Sequence, residues 1–276
     1  MLAALTILYG AVVGFSLGLT GGGGSVFAVP LLVYGLGLGA HRAVCASMVA
    51  VGTTAAVGAM RRLRTGEVDV ATALIVAFAG FIGAPVGAWF GRSLAEKWLL
   101  VLFAGIVVIV AFRMLFRAAT PPSGHAAIRA SLTQMENREA PGWPSLRELA
   151  LPPGRAIALM SAGVLTGLLS GLLGIGGGFI IVPVLVIFRR LEIHRAIATS
   201  LLVIALVSIS AVASHLLAGQ RLPVSTTALF AIGGVLGLRL GSMLGERLSG
   251  VTLQKVFAVA MFLMAGFMVV HNLGLI

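Results

Sequence analysis

The sequence predicts an all-α polytopic membrane protein built from two homologous halves, on three observations. Of its 276 residues, 59% are apolar and 10% charged, with mean hydropathy +1.10, whereas about a quarter of a soluble domain is charged. Apolar stretches of roughly 18 residues or more recur along the chain, each long enough to cross a hydrocarbon core of ~30 Å as a helix. The third observation is an internal repeat. From Gly18, GLTGGGGSVFAVPLL is answered from Gly171 by GLLGIGGGFIIVPVL, with Pro30 on Pro183 and no gap. His41-Arg42-Ala43 then falls on His194-Arg195-Ala196, Ser47 on Ser200 and Gly66 on Gly219. After one inserted residue, Gly80, Gly83, Gly87 and Gly91 meet Gly234, Gly237, Gly241 and Gly245.

Each half reads as five apolar segments. The first, Leu2 to Thr20, has no Lys or Arg ahead of it, so it lacks the basic region of a signal peptide and is expected to stay as a membrane segment. The second, Val26 to Leu38, is short and follows a glycine cluster; it reads as a half-depth helix of a re-entrant hairpin, which lipid tolerates where irregular backbone faces protein or a cavity. The third, fourth and fifth run over Ala43 to Met60, Val68 to Phe90 and Trp98 to Phe116. The second half repeats the set over Ala156 to Leu173, Phe179 to Phe188, Ala196 to Leu217, Val224 to Leu244 and Leu253 to Val270. Glycines spaced i, i+4 (Gly83, Gly87, Gly91 and Gly237, Gly241, Gly245) predict close helix contact. The organisation is thus a first transmembrane repeat over 1–117, a polar, proline-bearing cytoplasmic linker over 118–153 and a second repeat over 154–276, with eight to ten membrane segments in all.

Charge orients the halves. Arg61, Arg62 and Arg64 follow the third segment of the first half, while the matching turn, Ser214 to Arg221, holds Arg221 alone. Arg189, Arg190 and Arg195 follow the second segment of the second half, while the matching turn near Gly39 holds Arg42 alone. A bias that swaps sides between homologous loops predicts inverted repeats, with the linker and Arg61 to Arg64 cytoplasmic and both termini outside. The rival count fuses the first two segments of each half into one broken helix. It gives eight spans, a parallel repeat, and Arg189 and Arg190 outside.

The two glycine clusters, Gly21, Gly22, Gly23 and Gly24 with Ser25, and Gly174 with Gly176, Gly177 and Gly178, each break an apolar stretch ahead of a fresh helix. Such a break points helix N-terminal N–H groups inward, which favours an anion. Two related clusters suggest one central site approached by both. Arg239 lies inside an apolar segment with no deep carboxylate to pair with, so a bound anion would satisfy it, or it would snorkel to the surface. His41 and Arg42, and His194 and Arg195, precede the third segment of each half as candidate vestibule cations. Ser47, Thr199 and Ser200 follow within about a turn and a half as hydroxyls able to donate to an oxyanion, or as small packing residues.

Several classes are set aside. The net charge of +11 sits at segment ends and in the linker, against a nucleic-acid partner. Cys45 stands alone, so no disulfide or multi-cysteine metal site is expected. Neither cluster completes a dinucleotide fingerprint or a Walker A loop, so no nucleotide cofactor is expected. No nucleophile stands at readable spacing from a base, and the chain reads as no enzyme.

The paired glycine breaks, each ending in a proline (Pro30, Pro183) and followed by His-Arg-Ala and then Ala46-Ser47 or Thr199-Ser200, resemble the TauE/SafE sulfite exporter family over both halves. The resemblance implies a secondary carrier for sulfite, sulfonates, thiosulfate or related organosulfur anions, as a multi-pass permease of the bacterial inner membrane type. The first cluster departs from the second with Gly22 against Ile175 and Ser25 against Gly178. A dianion leaving a cell that is negative inside gains roughly 2.3 kcal/mol per charge per 100 mV, so export by alternating access would need no proton relay. Other readings are uptake of thiosulfate or an organosulfur compound, and a non-transporting scaffold that binds a partner through the linker. The residues assign neither a coupling ion, such as a proton, nor a homo-oligomeric state.

Overall fold

The computed structural model describes residues 2–118, 153–189, 191–220 and 222–245, with 259, 261–264 and 266–268. Nine helices follow in order among the longer described stretches: α1 Leu2–Thr20, α2 Gly23–Gly35, α3 Ala40–Arg64, α4 Val70–Ser93, α5 Glu96–Ala118, α6 Pro153–Leu173, α7 Gly178–Phe188, α8 Ile193–Leu217 and α9 Val224–Gly245. Among the described residues there is no strand, and six helices (α1, α3, α4, α6, α8, α9) are long and apolar enough to cross a membrane. The segment expected from Leu253 falls largely outside the described residues, as does the linker interior, residues 119–152. Helices overrun their apolar segments where polar ends extend the ladder: α3 starts at Ala40 and continues through Arg61, Arg62 and Arg64.

Helices α2 and α7 are short. The 11 residues of α7 rise about 16 Å, half a hydrocarbon core. In α2 a tight 3-10 start over Gly23–Phe27 and a widened turn over Leu31–Gly35 bracket Pro30, whose missing N–H interrupts the ladder. Pro85, inside α4, has a visible remedy. It leaves the Phe81 carbonyl without its helical donor, and Ser210 Oγ of α8 donates to that oxygen at 2.8 Å.

Two glycine seams join the halves crosswise. Ideal Cβ atoms built on Gly10, Gly14 and Gly18 of α1 would lie 2.1, 1.8 and 2.5 Å from the carbonyl oxygens of Phe230, Gly234 and Leu238 on α9. No side chain fits there, and the backbones touch. The same holds between α4 and α6, where Gly83 and Gly87 press on the carbonyls of Val164 and Leu168, and Gly163 and Gly167 on those of Val76 and Gly80. Numbers rise together along both seams, so α1 runs parallel to α9 and α4 parallel to α6. At the centre the sense reverses. Gly52 of α3 meets Ser208 of α8 and Gly58 meets Leu201, so these two 25-residue helices run antiparallel.

The turns after α3 and α8 share one backbone form and differ in chemistry. Gly66 and Gly219 have φ of +72° and +78°, and the next amide reaches back to the carbonyl of Arg62 in one turn and His215 in the other. Arg62 pairs with Glu67 at 3.1 Å, while His215 holds Gln220 at 2.9 Å through Nδ1 and donates from Nε2 to the Gly171 carbonyl at 2.9 Å.

Candidate substrate site

Helix α1 turns back into α2 at Gly21 (φ +71°), and α6 turns into α7 at Gly174 (φ +72°), a left-handed conformation that glycine adopts without a steric penalty. The two breaks meet. A Cβ on Gly22 would lie 2.4 Å from the Gly178 Cα, and one on Gly178 would lie 2.4 Å from the Gly22 Cα. Gly176 packs on Val51 and Ile204, each one residue from the middle of its 25-residue helix, so the breaks meet at mid-depth. Residues 21–25 and 174–178 are all buried.

Backbone acceptors and donors at the breaks fare differently. Ser200 Oγ contacts the Gly21 carbonyl, and Ser47 Oγ lies 2.9 Å from the Gly174 carbonyl. Ser25 Oγ lies 2.7 Å from the Gly22 carbonyl and also contacts that of Ile175. Among the described residues, no acceptor stands opposite the N–H groups of Gly22, Gly23, Ile175, Gly176 or Gly177, whereas those of Gly21, Gly24, Ser25 and Gly174 are bonded. These five N–H groups belong to buried residues and lie beside carbonyls already engaged by hydroxyls. Each unsatisfied buried group costs about 1–3 kcal/mol.

The structure gathers some of the expected residues and disperses others. Gly21 to Gly24, Ser25, Gly174, Gly176, Gly177 and Gly178 come together, with Ser47 and Ser200 stitched to the opposite break. Each of these serine hydroxyls already has carbonyl partners, so its proton is spent on backbone. Thr199 lies outside the break contacts: it donates to the Arg195 carbonyl at 2.7 Å and accepts the Asp69 N–H at 3.0 Å. Arg239 stands apart from the breaks. It is exposed on the outer face of α9 beside exposed Leu236, Leu240 and Met243, whereas the glycines against α1 lie on the inner face. His41 is half-buried and Arg42 exposed at the start of α3; His194 and Arg195 are exposed at the start of α8. Because α3 and α8 are antiparallel, these pairs lie at opposite ends of the molecule.

Sequence reasoning left Asp69 and Arg189 as end-of-segment charges. The structure joins them across the halves at 2.9 Å, with Asp69 also capping α4 by accepting from Thr72 N and Thr72 Oγ1 at 3.0 and 2.7 Å. Burial would push the Asp69 carboxyl up; the Thr72 hydrogen bonds and the Arg189 guanidinium outweigh it and hold it below the ordinary carboxylate value.

A family model described as Sulfite exporter TauE/SafE matches residues 6–268. The chain is 34% identical over 267 residues to a Xylella fastidiosa strain Temecula1 protein named "Probable membrane transporter protein", covering 95% of this chain and 92% of that one. It is 23% identical over 266 residues, 94% of each chain, to the Bacillus subtilis "Probable membrane transporter protein YunE". No solved structure matches it.

Proposed function

Since the chain belongs to the TauE/SafE sulfite exporter family, matched over nearly its whole length, and is a multi-pass membrane transporter, we propose that it exports small sulfur-containing anions such as sulfite or a sulfonate across a bacterial inner membrane. The observation that carries this reading is the pair of touching glycine breaks, whose five unmatched N–H groups lie buried at mid-depth. A tetrahedral or pyramidal oxyanion offers several acceptor oxygens to such donors and needs no positive side chain there. The substrate residues are Gly21, Gly22, Gly23, Gly24 and Ser25 from one break and Gly174, Gly176, Gly177 and Gly178 from the other. Ser47 and Ser200 hold the carbonyls of the breaks aside.

Alternating access follows from an inverted pair of repeats, residues 1–117 and 154–276 about the linker 118–153. The reading is supported by the antiparallel α3 and α8 and the parallel crosswise seams, since a rotation about an axis in the membrane plane exchanges α1 with α6 and α4 with α9. In this scheme α1 with α2, and α6 with α7, are hairpins entering from opposite sides, each followed by full crossings. The arginines at the end of α3 and start of α8 share one face with the linker, which the positive-inside rule assigns to the cytoplasm. His41 and Arg42 then attend the outer mouth, and His194 and Arg195 the inner one.

Purified protein in proteoliposomes with an imposed inside-negative potential tests the reading. Sulfite efflux driven by the potential and exceeding that of sulfate and chloride is expected. Flux into the negative compartment alone would replace export by uptake. Absence of flux for sulfite, thiosulfate and short alkyl sulfonates would remove the transport reading of this site.

A further inference from the structure

On the face where α3 ends and α6 begins, called the linker face below, three side chains interlock the halves just above the breaks. Asp69, the cap of α4, belongs to the first half; Arg189, which ends α7, and Thr199, in the second turn of α8, belong to the second. Arg189 Nη2 donates to Asp69 Oδ2 at 2.9 Å, and the Asp69 N–H donates to Thr199 Oγ1 at 3.0 Å. Both breaks are wired to this cluster. Helix α7 runs from the second break straight to Arg189, and Ser200, adjacent to Thr199, contacts the Gly21 carbonyl of the first.

The opposite face lacks the device. By the register of the repeat, Leu36 stands in place of Arg189 and Ala46 in place of Thr199. Pro223, whose carbonyl receives the Thr227 N–H as that of Asp69 receives the Ala73 N–H, stands in place of Asp69. Every polar member has an apolar counterpart, so the fold does not require the cluster; it has been added on one side.

The guanidinium is only partly used. The Arg189 side chain is 20% exposed, its Nε is buried with no acceptor, and Nη2, on the same edge of the plane, holds one carboxylate oxygen. An Arg edge takes two oxygens of one planar or pyramidal oxyanion side by side, which the Asp69 carboxylate, turned to cap α4, does not supply. We propose that Arg189 is the entry contact for the anion on the linker face and that Asp69 is the ligand the anion displaces, so that arrival of substrate releases the link between α4 and α7. The anion completes the Arg189 edge, Asp69 remains capped by Thr72, and the two halves are free to part on this side. This rests on the transport reading above, and its one-sidedness gives that reading a polarity: capture occurs from the linker face.

The test is the concentration dependence of initial sulfite flux in vesicles with the linker face outward, for the wild type, Asp69→Asn, Arg189→Gln and Asp69→Asn/Arg189→Gln. Asn retains the acceptor that caps α4, so Asp69→Asn removes the competitor while keeping the helix start. The expected result is a KM lowered about three-fold or more by Asp69→Asn and raised about ten-fold or more by Arg189→Gln. The double variant, which leaves no unpaired buried charge and so guards against misfolding of Arg189→Gln, keeps the raised KM. Shifts of the two single variants in the same direction, or a wild-type KM in the double variant, overturn the proposal alone. Absence of wild-type flux overturns the transport reading and this proposal together.

Discussion

Replacing Gly22 by Ala probes the contact between the two breaks. The residue has φ +157°, a conformation L side chains rarely adopt, and the new methyl would lie 2.4 Å from the Gly178 Cα and 2.7 Å from its carbonyl carbon. Backbone cannot swing aside as a flexible side chain does, so the breaks must separate by about 1 Å to reach van der Waals distance. Strained backbone costs on the order of 1–3 kcal/mol and overpacking a similar amount, about 2–6 kcal/mol together. The matched control is Gly37→Ala. Gly37 also has a positive φ, +68°, but nothing lies within 4 Å of the added methyl, so it carries the strain without the contact. In proteoliposomes matched for protein amount, Gly22→Ala should lose at least ten-fold in sulfite flux and unfold at lower temperature than Gly37→Ala, which should keep its flux. Equal flux and equal melting for the two variants would refute the claim that the breaks meet at the working centre.

Three further outcomes follow from the geometry. Arg239→Gln should leave sulfite flux within about two-fold of wild type, because the side chain faces away from the breaks; a loss of ten-fold at normal abundance would restore it to the site. Ser210→Ala removes the donor to the Phe81 carbonyl that Pro85 leaves open, and should lower stability by about 1 kcal/mol, read as a lower melting temperature in detergent, with transport retained. The Asp69 carboxyl is held below its ordinary value, so its link to Arg189 is fully present above the unfolded-state value of about 4 and is lost only as pH falls through the depressed folded value. The melting difference between wild type and Asp69→Asn should therefore be constant from pH 7 to 5 and shrink only below about pH 4.

The helix content and the boundaries of most segments were legible in hydropathy alone, since lipid requires each apolar stretch to satisfy its own backbone. The offset between repeats also made the meeting of the two glycine breaks, seen at Gly22 and Gly178, a reasonable expectation. Arg239 shows where such reading fails. Its position within an apolar segment was plain, but which side of α9 faces the protein depends on where the α1 glycines press, and residues more than 200 apart decide that. Asp69 and Arg189 failed for a related reason: each looked like an ordinary helix-end charge, and the 120-residue separation hid their pairing. Comparing the repeats position by position offered a signal, because a charge matched by Leu36 or Pro223 is not one the shared fold demands. Nor could spacing tell that Ser47 and Ser200 would spend their protons on carbonyls and leave the amides open.

The crosswise seams bear on how the chain is made. Helix α1 leaves the ribosome first, yet the surface that fits Gly10, Gly14 and Gly18 belongs to α9, roughly 220 residues later, a wait of about 10–40 s at ordinary translation speeds. During that interval a glycine-lined groove of bare backbone lies open to lipid, to chaperones of insertion, and to the matching helix of another nascent copy. Helix α4 finds its partner α6 much sooner. Assembly is thus expected to begin around α4 and α6 and to close with α9, and neither half synthesised alone would hold its first helix in place.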